Sequence, residues 1–370
     1  MTFDAFHLPS LDSKDYDGWI EWNGARAPRL NPAGVTRLTN RLRDAGQVLH
    51  ARTVDDIVAL IDQAVSRITD DATERTRAVE LVARFSSCSV PMAAHIFDRM
   101  TADWRAPSLL RMLDGEFRDR HMLDTFRPDG TGRLLHASGA RIALHIFSGN
   151  VPGVGVTSII RSLLVKCPVL GKTAASEPVL PVIFATALAA IDPEIGRAVA
   201  VTYWPGGTTD LEDAVLPAVE QVVHYGGRDS IGDMSRRVPA NVPLITHGPR
   251  ISFGMVGQKA LGSPDDAASL AGDIAYATAV FDQQGCVSPH TVFVEERGAV
   301  SPPELAGLVE RALERLSRDL PPAALAQADA IAIREFRALA EFRAINGEKV
   351  LVLGPDRLDH TIIFDPVPEL

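Results

Sequence analysis

The sequence predicts an α/β protein built around a parallel sheet, and three observations carry that expectation. Short apolar runs at 141–147, 167–170, 198–203 and 221–225 have the length of buried strands. Helix-length stretches at 154–166, 178–191 and 209–217 lie between them. Each run ends in a glycine-rich or polar loop: Ser148-Gly149-Asn150-Val151-Pro152-Gly153, Gly171-Lys172-Thr173, Trp204-Pro205-Gly206-Gly207 and Gly226-Gly227. Strand and helix alternating at this pitch form βαβ units and a parallel sheet. Ligands of such open sheets bind at the carboxyl ends of the strands, so four loops of this kind in succession mark a candidate ligand edge.

The regions on either side have different textures. Residues 32–125 read as mostly helical, with Ile57, Leu60, Ile61, Ala64, Val65 and Ile68 recurring at helical spacing and few glycines. After Pro239 a second block begins. It is expected to hold strands at 242–246 and 251–256, a helix at 264–280, a loop carrying Cys286 and a strand at 291–295. Helices at 302–316 and 323–343 and strands at 349–353 and 361–365 complete it. The expected division is therefore a helical N-terminal region over 1–130, packed on a nucleotide-type domain over 131–240, with a thiol-bearing block over 241–370. There is no internal repeat and no low-complexity tract.

Composition narrows the function. Charged residues make up 23% of the 370 and hydrophobic ones 46%, ordinary for a soluble globular chain. A net charge of -10 argues against nucleic-acid binding, which needs a basic face. Cys88, Cys167 and Cys286 are too few and too scattered for a disulfide framework or a CxxC site, and they fit a reducing, cytoplasmic compartment. The opening residues lack the pattern of a secretory leader, and the most apolar stretch, 178–191, is too short to span a bilayer. No HxxxH pair, GxSxG elbow or P-loop occurs, which removes metallohydrolase, serine hydrolase and P-loop NTPase readings. The first βα turn also lacks GxGxxG, leaving a variant nucleotide site open.

Several positions could carry chemistry. Cys286 follows Gly285 and precedes Pro289 by three residues, so it belongs to a loop where a thiol can be reached; a lone cysteine is otherwise a small buried residue. A thiolate needs a neighbour that lowers its pKa, and His290 is either that neighbour or a solvated loop residue. Asn150, directly after a strand, is either a turn-former or an amide donor to an oxyanion. Lys172 is either a solvated strand end or a contact for a cofactor ribose or phosphate. Gly206, Gly207, Gly226 and Gly227 are either turn residues or places of close backbone approach to a ligand.

The order of these pieces resembles the aldehyde dehydrogenase superfamily. Ile146-Phe147-Ser148-Gly149-Asn150-Val151-Pro152 resembles the motif whose Asn-x-Pro turn supplies an oxyanion-binding amide. Gly171-Lys172, followed by Pro178, resembles the strand whose lysine contacts the adenosine ribose. Tyr203-Trp204-Pro205-Gly206-Gly207 and His224-Tyr225-Gly226-Gly227 fall where the next two cofactor-side turns stand. Gln283-Gln284-Gly285-Cys286 resembles the Gly-Gln-x-Cys neighbourhood of the catalytic thiol, with Gln283 in place of the glycine. Within the superfamily the sequence is most similar to the luminescence-type (LuxC-like) fatty acyl-CoA reductases, through Gly149-Asn150-Val151-Pro152-Gly153, Trp204-Pro205-Gly206 and Gln284-Gly285-Cys286-Val287-Ser288-Pro289.

The resemblance implies a variant Rossmann cofactor domain, an α/β catalytic domain and a helical N-terminal region. It implies reduction of a fatty acyl thioester to an aldehyde by NADPH, with NADH as the other candidate. Cys286 and Asn150 would be catalytic, and Phe147, Ser148, Gly149, Lys172, Gly206, Gly207, Gly226 and Gly227 would line the cofactor. The substrate would be acyl-CoA or an acyl carrier, an acyltransferase a candidate partner, and a homo-oligomer the expected assembly. Aldehyde-oxidising members carry a glutamate before a Gly-Gly pair, whereas the matching stretch here is Leu244-Ile245-Thr246-His247-Gly248. Without that base an acyl-enzyme outlives water attack, which suits a reductase. Family members also run further past a strand like 361–365, so the catalytic block is expected to be short at its C-terminal end. The alternatives are an acyl-phosphate reductase, for which Arg228 and Arg250 are the candidate phosphate contacts, and a non-catalytic relative that binds acyl carriers.

Overall fold

The computed structural model describes residues 2–324, 327–346, 350–353 and 360–370. The chain divides into two compact units, Met1–Ser86 with Phe97–Gly248, and Ser87–Ile96 with Pro249–Leu370.

The first unit opens on a small sheet that the sequence analysis did not anticipate. Strands β1 (Phe3–Asp4), β2 (Tyr16–Trp22) and β3 (Ala25–Leu30) pair in the order β1-β3-β2. Asn23 and Gly24 join β2 to β3, and both have positive φ (44° and 76°), the conformation that two-residue hairpins favour. Helices α1 (Pro32–Ala51), α2 (Val54–Thr69), α3 (Ala72–Ser86), α4 (Val90–Asp103, of which the residues to Ile96 belong to the second unit) and α5 (Ala106–Glu116) follow, as the helical periodicity predicts. Their starts are written locally. Asn31 caps α1 by accepting from the Gly34 N–H at 2.8 Å, and Thr53 and Asp56 form a capping box on α2. A short hairpin, β4 (Arg127–Pro128) and β5 (Leu134–Leu135), leads into the main sheet.

That sheet alternates β6 (Ala143–Ile146), α6 (Val154–Leu164), β7 (Val169–Lys172), α7 (Val179–Ile191), α8 (Pro193–Gly196), β8 (Val199–Thr202), α9 (Thr209–Val215), β9 (Gln221–Tyr225), α10 (Arg228–Arg237) and β10 (Leu244–His247). All five strands are parallel, in the order β10-β9-β6-β7-β8. The first strand is central and the chain winds outward in both directions, the doubly wound arrangement of dinucleotide-binding sheets. All four residues of β6 are buried, as expected of a strand covered on both faces. One face packs Leu144, Ile146, Leu170, Ala200 and Val222 against Leu38 and Leu42 of α1 and Leu211 and Val215 of α9. One expectation is corrected here. The strand foreseen at 242–246 was placed at the start of the second block, but β10 pairs with β9 and forms an edge of the first sheet. Its last three residues are exposed, so it carries no burial pattern that would assign it to either block.

The second unit holds β11 (Ser252–Val256), α11 (Pro264–Ala279), β12 (Pro289–Glu295), α12 (Pro302–Asp319), α13 (Gln327–Ile345), β13 (Val350–Leu353) and β14 (Thr361–Val367). The strand order is β11-β12-β14-β13, parallel except for β13. Val256, Val292, Val294, Ile362 and Phe364 face Ala271 and Ala275 of α11 and Leu305, Val309 and Leu313 of α12. Ser263 caps α11 and Glu304 accepts from the Ser301 N–H at the start of α12. Two expected elements reach beyond the described residues: Lys349 at the start of one strand, and residues 325–326 within one helix.

Candidate active site

The carboxyl ends of β6, β7, β8 and β9 share one edge of the first sheet, and the loops leaving them carry every cofactor-side residue named from the sequence. Phe147, Ser148, Gly149 and Asn150 follow β6, Lys172 ends β7, Gly206 and Gly207 lie beyond β8, and Gly226 and Gly227 follow β9. The chain reverses its winding between β6 and β9, and a crevice for a ligand opens at such a switch point.

Each position has a local physical reason. Phe147 is buried rather than displayed, and its ring fills the space above two glycines. A Cβ on Gly171 would come within 2.7 Å of the ring, and one on Gly155 within 3.0 Å. Phe147 is thus a packing anchor for the loop that carries Asn150, which is itself exposed. A Cβ on Gly149 would lie 2.0 Å from Ser176 Oγ, whose hydroxyl donates to the Gly149 carbonyl at 3.1 Å, so only glycine fits. Gly153 has φ +92° and turns the chain into α6. Gly206, Gly207 and Gly227 have open space where a side chain would stand, leaving their backbone accessible.

Beside Lys172, polar groups that sequence reasoning missed lie along this edge beneath the loops. Ile146 pairs with both Lys172 and His224, and Lys172 with Thr202, so the side chains of Lys172, Thr202 and His224 project from one row. Lys172 Nζ lies 5.7 Å from the centre of the Trp204 ring. Burial holds the Lys172 ammonium below the usual lysine range, with the Glu212 carboxylate acting in the opposite direction. Glu212 is buried, pairs with Arg237 and accepts from Trp204 Nε1 at 3.4 Å. Burial, aided by Lys172, also lowers the pKa of His224, whose Nε2 contacts Ser230 Oγ at 3.0 Å. Thr202 Oγ1 and His224 Nδ1 are buried without a hydrogen-bond partner. A cation and open glycine turns on this edge fit a nucleotide. Of this set Lys172 and the Trp-Pro-Gly-Gly run were named from the sequence; that Lys172, Thr202 and His224 share one row depends on strand register.

The second unit presents the thiol. Cys286 lies between α11 and β12, in the loop expected of it. The sequence left two fates open, and the structure distinguishes them: Cys286 is exposed, Cys167 is buried and Cys88 half-buried. Burial pushes the Cys88 thiol up to about 11, with the Asp282 carboxylate adding to the effect, and pushes Cys167 up to about 11 as well. The Cys286 carbonyl accepts from Ser252 Oγ at 2.6 Å, and the turn closes through Ser288 N–H to the Gly285 carbonyl at 3.0 Å. His290 is exposed, on β12. No group of three or more His, Cys, Asp or Glu able to hold a metal occurs among the described residues.

Comparison with known proteins places this architecture. Aldehyde dehydrogenase 21 from Physcomitrella patens, solved with succinate, superposes with a TM-score of 0.69 at 14% identity, covering 95% of this chain and 73% of that one. The NADP-dependent glyceraldehyde-3-phosphate dehydrogenase of Bacillus halodurans C-125, solved with NADP, gives 0.67 at 17% identity, over 95% and 78%. The fold is that of the aldehyde dehydrogenases. A family model described as acyl-CoA reductase (LuxC) matches residues 49–368, and the chain belongs to that family. Long-chain acyl-protein thioester reductases are its curated relatives. The one from Vibrio harveyi is 29% identical over 305 residues, 78% of this chain and 61% of the relative. The one from Aliivibrio fischeri is 26% identical over 232 residues, 60% and 47% respectively. The chain thus spans roughly half to three fifths of the length of these relatives. Among the described residues no helix is long and apolar enough to cross a membrane.

Proposed function

We propose that this protein reduces a long-chain acyl thioester to the aldehyde with NADPH, through an acyl group carried on Cys286. The observation that carries the reading is the separation of the three thiols: one is exposed on a loop between a helix and a strand, and burial keeps the other two protonated. Only a thiolate attacks a carbonyl, so Cys88 and Cys167 are poor nucleophiles at neutral pH. Membership of the acyl-CoA reductase family, and the thioester named for its relatives, support the substrate class.

In this reading the domain expected at 131–240, extended through β10 to Gly248, serves the cofactor, and the block from Pro249 to Leu370 serves the acyl group. The Cys286 thiolate adds to the thioester carbonyl and expels the carrier thiolate, which takes up a proton, leaving an acyl-cysteine. A reduced nicotinamide, when bound, supplies the hydride that the acyl carbon accepts. The Asn150 amide and the Cys286 main-chain N–H donate to the oxyanion that results. Collapse releases the aldehyde and returns the Cys286 thiolate. Lys172 provides the positive charge that favours a 2′-phosphate and hence NADPH over NADH. Gly149, Gly206, Gly207, Gly226 and Gly227, with Ser148, let the backbone approach the cofactor, and Phe147 supports the first of these loops from below. The thioester is delivered on coenzyme A, a carrier protein or an acyltransferase partner, to a homo-oligomer in the cytoplasm, where thiols stay reduced.

Turnover tests the reading. Purified protein given palmitoyl-CoA should consume NADPH and release the aldehyde, and Cys286→Ala should abolish consumption while NADPH still binds. Full turnover by that variant would refute the assignment of the nucleophile.

A further inference from the structure

Three consecutive non-glycine residues before the nucleophile loop, Phe281, Asp282 and Gln283, have φ of 63°, 51° and 58°. This left-handed region is rarely visited by residues with side chains, and a run of three persists only where its surroundings hold it. Asp282 accepts from the Ala323 N–H at 3.4 Å, and the group with the most bonds to its surroundings is the Gln283 side chain. Its Nε2 donates to the carbonyls of Pro289 and Thr361, at 2.9 Å each, and its Oε1 accepts from the Thr361 N–H at 3.1 Å. Pro289 opens β12 and Thr361 opens β14, and these two strands are parallel neighbours. One amide thus engages the main chain of both strands. Thr361 is itself fixed, since Arg337 Nε donates to its hydroxyl at 2.8 Å.

The thiol lies three residues further on. Between the two positions the Gln284 N–H bonds the Phe281 carbonyl at 2.9 Å, and the Cys286 carbonyl is held by Ser252. The path from the pinned turn to the thiol is short and bonded at both ends. An exposed side chain has no core packing to orient it, so its backbone must do so. The motif that this loop resembles has glycine where Gln283 stands, and glycine tolerates positive φ without support. This chain has placed a strained residue there and bonded it three ways.

We propose that Gln283 is a positioning residue for Cys286: its amide fixes the left-handed turn to β12 and β14 and so sets the direction from which the thiol meets an acyl carbon. The inference rests on the reading of Cys286 as the nucleophile. Positioning of this kind matters for a reaction that needs an oriented approach, and it matters little for a small reagent that can attack from any side.

The test compares the full-length chain with Gln283→Gly and Gln283→Glu. Glycine removes all three bonds and also relieves the strain at position 283, so the two effects offset one another and the melting temperature should stay near its starting value. Four quantities are read: acyl transfer to Cys286 from palmitoyl-CoA, alkylation of Cys286 by iodoacetamide, NADPH affinity and melting temperature. In Q283G acyl transfer should fall about tenfold to a hundredfold, with the other three within about twofold or a few degrees of the original. Q283E keeps an acceptor for the Thr361 N–H but sets a carboxylate against two carbonyls, and it should lose at least as much. Acyl transfer at the original rate in either variant overturns the proposal and leaves the nucleophile reading intact. A fall matched by equal losses in alkylation, cofactor affinity and melting temperature also overturns it, because Gln283 would then be structural. If the unsubstituted protein never acquires an acyl group on Cys286, the nucleophile reading fails, and positioning fails with it.

Discussion

The contrast among the three thiols yields a measurable reactivity pattern. The perturbation is a small alkylating reagent, and the quantity that decides the outcome is the thiolate fraction. Cys88 and Cys167 are pushed up to about 11 by burial. At pH 8 a group three units below its pKa is ionised in about one molecule in a thousand. Burial also restricts access, so the native protein should show one fast thiol and two slow ones. As pH rises, the rates at Cys88 and Cys167 should climb about tenfold per unit, levelling only near pH 11 if the fold survives. The assay is iodoacetamide in limiting amounts, followed by peptide mass spectrometry, with 5,5′-dithiobis(2-nitrobenzoate) to count fast equivalents. Cys286→Ala should remove the fast equivalent entirely, and full denaturation should make all three sites react alike. If the fast equivalent survives in Cys286→Ala, the burial argument is wrong and another thiol is the reactive one.

Other consequences follow from the same geometry. Asn150→Ala should lower kcat about 10²–10³-fold, the usual cost of one oxyanion donor, with NADPH affinity kept; a change confined to KM would assign Asn150 to binding instead. Phe147→Ala empties the space between Gly155 and Gly171 and should cost about 3–5 kcal/mol, read from urea unfolding; a loss under about 1 kcal/mol would contradict the anchoring role. Glu177 is buried, with one oxygen accepting from the Leu180 N–H at 3.0 Å, and burial pushes its carboxyl up to about 8. The folded state therefore binds more protons than the unfolded chain between its ordinary value, about 4.5, and about 8, so its share of stability falls as pH rises through that window. Glu177→Gln should flatten the decline in melting temperature between pH 5 and 8, and an unchanged slope would count against the raised value.

The sequence made some features legible and hid others, for physical reasons. Buried parallel strands such as β6 and β9 are covered on both faces and read as short apolar runs, so their positions were visible to within a few residues. The glycine loops were visible because backbone that turns sharply or approaches a neighbour has few alternatives, as at Gly149 against Ser176. β10 was assigned to the wrong sheet because an edge strand with exposed residues has no periodicity that names its partner. The β2–β3 hairpin was overlooked although Asn23-Gly24 between Trp22 and Ala25 is a strong turn signal, since the helical texture further on dominated the reading of that region. The row formed by Lys172, Thr202 and His224 depends on register between strands distant in sequence, and one chain without its pairing cannot supply that. Gln283 was seen only as a departure from a motif. Its bonds to Pro289 and Thr361 span 78 residues at the widest, which no local pattern records.

The most direct test of the account is peptide mapping of the protein after exposure to a radiolabelled long-chain acyl thioester in the absence of NADPH. With hydride withheld, the label should accumulate on the peptide containing Cys286, approach one equivalent per chain, resist denaturation and be released by hydroxylamine. Adding NADPH should discharge it as aldehyde. Label on Cys88 or Cys167, or none retained after denaturation, would contradict the proposed chemistry of this site.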